Sequence, residues 1–157
     1  TNNKNILPTH YEQQVLGFNY RLSEIHSALG ISQLGNIKKI IKKRIENTYF
    51  YKKKLNNYNL EFQKVEKNNI SANHLTIIRV DPKIRNKLFK NFLKNKVNVN
   101  LHYIPIYKHP YYKKFGYKLK NFINSEKYFR EALSIPNFYS LNKKQIEKVI
   151  NIIKKYT

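Results

Sequence analysis

The chain has 157 residues, with Lys+Arg 31 against Asp+Glu 9 and a formal net charge of +22, a size that suits one domain or a large piece of one with a buried core. It contains no cysteine, which excludes disulfides and thiolate metal sites and fits a reducing cytoplasm. No apolar run approaches the ~20 residues a membrane helix needs, and the polar start lacks the apolar core of a signal peptide.

In chain order, residues 1–15 are polar and irregular and read as a loop or a junction. After Gly17 the period turns helical: Leu22, Ile25, Leu29, Ile31 and Leu34 make an apolar stripe with Ser23 as N-cap. A second helix is expected from about Ile37 to Leu55, with lysines on its wet face. Two strands follow, at Leu60–Val65 and His74–Val80. Asp81-Pro82 starts a helix reaching about Asn95, and Val97–Leu101 alternates as a strand should. Pro105 then places the segment Tyr103–Tyr107 at an edge or outside ordinary pairing. An aromatic loop over 108–121 precedes a short helix at about Ser125–Leu133 and an extended stretch at Ser134–Pro136. The last helix opens on Asn142 with Gln145 three residues on, a capping box, and Leu141 with Ile146 as its hydrophobic staple. The fold class is therefore α+β, helices packed on a small, mostly antiparallel sheet.

Few kinds of site survive this reading. His10, His26, His74, His102 and His109 lack ligand spacing, and no metal site is expected. Four glycines cannot make a phosphate-cradling loop, and acids are too scarce for paired-carboxylate catalysis. The charge admits two readings: a surface for polyanions, or the lysine and asparagine bias of AT-rich coding sequence. The spread of the lysines and the scarcity of arginine favour bias, so no specific nucleic acid and no membrane partner is expected. The chain also lacks methionine, and a fragment or processed piece is expected.

Two segments stand apart. Leu16–Arg21 sets an amide, a phenol and a guanidinium beside a glycine, groups suited to an anion or, equally, to satisfying a helix-entry loop. His102–Tyr107 sets an imidazole and two phenols at a strand end, suited to a polar ligand or to an aromatic-lined edge.

The run "EQQVLGFNYRLSEIHSALGISQL" (12–34) resembles a stretch of the DegT/StrS family of sugar aminotransferases, with its Gly-aromatic-Asn-aromatic-Arg turn before a helix. "SANHL" (71–75), "VNVNLHYIPIY" (97–107) and "SEKYFREALSIPNF" (125–138) are similar to later family segments, in the same order. The resemblance implies the C-terminal small domain (36–157) of a fold-type I enzyme using pyridoxal 5'-phosphate, with residues 1–35 an interface loop and helix joined to a large domain. It implies a homodimer with active sites at the subunit boundary. It implies transfer of an amino group, from glutamate, to the 4-keto group of a 4-keto-6-deoxy UDP-sugar in pseudaminic acid-type surface polysaccharide biosynthesis, in the cytoplasm. By the same resemblance Asn19 would bond the cofactor phosphate of the partner subunit, Arg21 would contact the nucleotide-sugar diphosphate, and His102 and Tyr103 would line the substrate pocket. Nothing in the chain matches the family's Schiff-base lysine, so no catalytic residue is assigned and the chain alone is expected to be inactive; a non-catalytic regulatory relative of the family is the alternative the resemblance leaves open.

Overall fold

A computed structural model of the chain describes residues 15–18 and 20–157, the side chain of Leu119 excepted. By contacts the chain separates into two compact units, Thr1–Gly35 and Asn36–Thr157.

The first helix, α1 (Glu24–Lys54), is 31 residues long and runs through both units. Ser23 opens it as the spacing predicts, its Oγ accepting from the His26 N–H at 3.4 Å. The sequence predicts two helices with a break near Gly35; one continuous helix is found. Gly30 and Gly35 keep helical geometry, where glycine costs about 1 kcal/mol relative to alanine but does not terminate the helix. Its early apolar residues, Ile25, Leu29, Ile31 and Leu34, are all exposed. Burial comes only near its end, at Asn47, Thr48 and Tyr51.

In the second unit, β1 (Leu60–Phe62), β2 (Thr76–Val80) and β3 (Ala132–Ile135) form an antiparallel sheet in that order. Leu60 pairs with Val80, and Ile78 with Leu133. Thr76, Ile78 and Val80 are buried while Ile77 and Arg79 between them are not, the period-2 pattern of a strand with one covered face. Helix α2 (Pro82–Lys94) starts where the sequence places it, with Asp81 Oδ1 accepting from the Lys83 N–H at 2.7 Å and Pro82 in its first turn. Short helix α3 (Pro110–Lys113) lies within the expected loop, α4 spans Ile123–Glu131, and α5 (Lys143–Lys154) carries the full Asn142–Gln145 capping box, bonds of 2.9 and 3.0 Å.

Two expectations are corrected here. Ala132 and Leu133 belong to β3 and not to the helix before it, because Ala132 pairs with Arg79 and Leu133 with Ile78. Val97–Leu101 is not a ladder strand; it makes a single bridge, Asn100 to Ser134. The Asn100 side chain takes the Leu101 N–H at 2.7 Å, a local bond that competes with further pairing.

The core joins Tyr51 and Leu55 of α1 and its end, Ile78 and Val80, Leu88 and Phe92 of α2, Leu133 and Ile135, and Ile146, Val149, Ile150 and Ile153 of α5. Beside it sits a buried polar knot. The Asn137 amide nitrogen lies 2.9 Å from Thr76 Oγ1 and from the Asn73 carbonyl, and 3.1 Å from Thr48 Oγ1, tying α1 to β2 and to the chain after β3.

Candidate functional site

Ser134 of β3, itself buried, anchors the segment that the sequence singles out. Its backbone exchanges two hydrogen bonds with Asn100, at 2.8 and 3.1 Å, and its hydroxyl meets His102 Nδ1 at 2.7 Å. That contact fixes the imidazole by one nitrogen. The His102–Tyr103 peptide is cis, and the Tyr103 ring stands edge-on to the imidazole, centroids 4.8 Å apart. Tyr103 is 73% exposed.

Downstream, Pro105 opens a short 3-10 turn over Ile106–Lys108. Tyr107 stacks on Phe122 at 4.6 Å and donates its hydroxyl to the buried carboxylate of Glu126 on α4. Lys108 Nζ reaches the same carboxylate at 2.6 Å, and Arg130 lies 3.7 Å from its other oxygen. The Lys108 and Tyr107 hydrogen bonds hold Glu126 below the ordinary carboxylate range, outweighing the opposing effect of burial. Burial first, and the Glu126 bond second, push the Tyr107 phenol up to about 12.

Clamped this way, the segment forms one wall of an open cleft of about 820 Å³. Tyr103, Tyr107, Tyr112, Tyr117, Phe122 and Tyr128 supply its rings. Asn124 and Ser125, in the first turn of α4, supply its polar groups besides the phenols. Among the described residues no lysine or arginine lines it.

The structure thus brings His102 and Tyr103 together beside a cleft. Arg21 lies in the other unit, exposed and ahead of α1. Asn19 lies outside the described residues. His74, on a family-like segment, is exposed and takes a 3.3 Å contact from Arg44 Nη1. The sequence reading missed Glu126 as the clamp and assigned no role to Tyr112, Tyr117 and Phe122. The aromatic richness of 108–121 was visible, but which rings face one another depends on the turn at Ile106–Lys108 and the start of α4. No group of three or more metal-ligating side chains gathers among the described residues, and no described helix is long and apolar enough to cross a membrane.

Comparison with known proteins adds to this geometry. A UDP-4-amino-4,6-dideoxy-N-acetyl-beta-L-altrosamine transaminase of Campylobacter jejuni is 33% identical over 85% of this chain and 36% of its own length. The spore coat polysaccharide biosynthesis protein SpsC of Bacillus subtilis is 29% identical over 92% of this chain and 39% of its own. The solved structure of Helicobacter pylori PseC, an aminotransferase involved in the biosynthesis of pseudoaminic acid, superposes with a TM-score of 0.85 at 26% identity, over 96% of this chain and 42% of that one. The chain therefore spans between a third and half of the length of these relatives. The family model for DegT/DnrJ/EryC1/StrS aminotransferases matches residues 4–154, and the α+β architecture agrees with its solved members: the chain belongs to the DegT/DnrJ/EryC1/StrS aminotransferase family.

Proposed function

We propose that the chain is the C-terminal part of a pyridoxal 5'-phosphate-dependent nucleotide-sugar aminotransferase that moves an amino group from glutamate to a 4-keto-6-deoxy UDP-sugar. The observation that carries this reading is His102, held through Nδ1 by Ser134, next to an exposed Tyr103 at the mouth of an aromatic cleft, in a chain of this family. An imidazole and a phenol fixed on a sheet edge suit a polar sugar or a diphosphate, and charge-assisted bonds to phosphate are about twice as strong as neutral ones. In this reading His102 and Tyr103 orient the substrate, and Arg21 contacts a nucleotide-sugar diphosphate. Asn19 bonds the cofactor phosphate of a partner subunit in a homodimer. The UDP-sugar is the substrate class named for the Campylobacter relative.

The described residues do not form a cofactor cradle by themselves. The cleft wall lacks a cation for the phosphate, and Lys108, adjacent in sequence, is committed to Glu126. The Schiff-base lysine, and the aspartate that keeps the cofactor ring an electron sink, are therefore proposed to come from a preceding large domain, to which residues 1–35 are the joint. Such a protein works in the cytoplasm, where its nucleotide-sugar substrates are made.

The test is to express the reading frame containing this chain together with the segment preceding it, and to assay glutamate-dependent amination of a UDP-4-keto-6-deoxy-N-acetyl sugar. Amination that falls by at least tenfold in kcat/KM for His102→Ala and for Arg21→Ala is the expected result. Amination by the 157 residues alone, or full activity in both variants, overturns the reading.

A further inference from the structure

Ser134 holds the His102 segment in two ways. Its N–H donates to the Asn100 carbonyl at 2.8 Å and its carbonyl accepts from the Asn100 N–H at 3.1 Å, which sets the spacing of the segment from β3. Its hydroxyl lies 2.7 Å from His102 Nδ1 and has no other hydrogen-bond partner among the described residues. Ser134 is 8% exposed, so that hydroxyl is largely shielded from water. If Nδ1 carried the hydrogen and donated to Oγ, the serine hydrogen would be left without an acceptor, and a buried donor left unpaired costs more than an ordinary bond gains. The serine therefore donates and Nδ1 accepts. An uncharged imidazole has one ring hydrogen, which must then sit on Nε2. The Tyr103 ring, at 88° to the imidazole with centroids 4.8 Å apart, restricts the rotation of that ring. Nε2 itself meets no partner among the described residues.

We propose that Ser134 is a positioning residue: its hydroxyl holds uncharged His102 in the tautomer with hydrogen on Nε2, so that His102 offers a donor to an oxygen of the sugar nucleotide. The tautomer follows from the geometry of this chain, and its use toward a sugar nucleotide rests on the proposed aminotransferase reading. The opposite tautomer would present a lone pair at Nε2, which repels phosphate and carbonyl oxygens alike. A neutral donor also serves an ionised oxygen well, because a hydrogen bond is charge-assisted when either partner carries the charge. Ser134 acts only through His102.

Two measurements test this. The first is nitrogen-15 NMR of the histidine rings of this chain at about pH 9, where an ordinary imidazole is uncharged, with the His102 signal identified by its loss in His102→Gln. A bare Nδ1 and a hydrogen-bearing Nε2 are expected in the wild type and in Ser134→Thr, which keeps the hydroxyl, and a mixture of tautomers in Ser134→Ala. Alanine leaves the backbone bonds to Asn100 in place, and unchanged methyl signals from Ile78 and Leu133, which pair across the sheet, verify the fold. Hydrogen on Nδ1 in the wild type, or an unaltered tautomer in Ser134→Ala, overturns the proposal. The second measurement is amination by the longer protein. Ser134→Ala should raise KM for the UDP-sugar about fivefold, the worth of roughly one hydrogen bond, with kcat within about twofold, and Ser134→Thr should restore KM. An unchanged KM in Ser134→Ala overturns the positioning role even if the tautomer is as described. Absence of amination with the expected tautomer removes the aminotransferase reading and leaves the hydrogen on Nε2 established.

Discussion

Glu126 is a carboxylate taken out of water and held by Tyr107, Lys108 and Arg130. Breaking such a buried set strands charged partners, so Glu126→Gln should lower unfolding stability at neutral pH by about 1.5–3 kcal/mol, measured by urea denaturation. The pH dependence follows from the lowered value. Because the folded-state pKa lies below the ordinary 4.5, the contribution is present above that pH and is lost as the pH falls through the folded value. Acid unfolding of the wild-type chain should therefore steepen below about pH 4.5, and Glu126→Gln should flatten that limb. Asn137 is a second such residue. Its amide nitrogen and Oδ1 serve α1, β2 and the Asn73 carbonyl at once, so Asn137→Ala orphans several buried groups at a cost of about 3 kcal/mol by the same measurement. Neither role could be seen in the sequence, where Glu126 is one helix acid among several and Asn137 a residue after a proline. Their importance is set by partners far away in the chain. His102 and Tyr103 could be singled out, since adjacent aromatic and titratable groups at a strand end are unusual on local grounds alone.

At the scale of elements, local chemistry was the readable part. The Asp81-Pro82 start and the Asn142–Gln145 box are short-range patterns, and both helices begin where those residues put them. Asn142→Ala should cost about 1 kcal/mol. What failed was non-local. The start of β3 at Ala132 is decided by pairing to Arg79, and the near-strand at 97–101 by a single bridge to Ser134, neither of which leaves a mark on local periodicity. The break expected near Gly35 failed for another reason. Glycine weakens a helix without forbidding it, and α1 continues. A Cβ at Gly30 or at Gly35 would meet nothing within 4 Å. Gly30→Ala and Gly35→Ala should therefore each raise helicity and stabilise the chain by about 0.5–1 kcal/mol, as read by circular dichroism during thermal unfolding. Loss of stability in either would mean that the glycine admits a close neighbour.

For the whole molecule, two surface properties oppose each other. Ile25 is 82% exposed and Leu29 58%, with Leu22, Ile31 and Leu34 also open, a concentration of apolar side chains that a soluble surface rarely leaves bare. Set against it is a net charge of +22, which drives copies apart. Repulsion between surface charges is screened within about 10 Å at 0.1 M salt and about 3 Å at 1 M, whereas apolar burial is not weakened by salt. The chain should therefore self-associate more as sodium chloride rises from 0.05 to 0.5 M, seen as a growing sedimentation coefficient. Ile25→Lys with Leu29→Lys should hold it monomeric throughout. A surface evolved for polyanions behaves in the opposite way, because its binding to nucleic acid weakens steeply over the same range. The two experiments on one salt axis decide which property of this basic chain carries function: association that rises with salt and vanishes with two α1 residues assigns the exposed helix to a protein neighbour, and a chain monomeric at every salt concentration refutes that assignment.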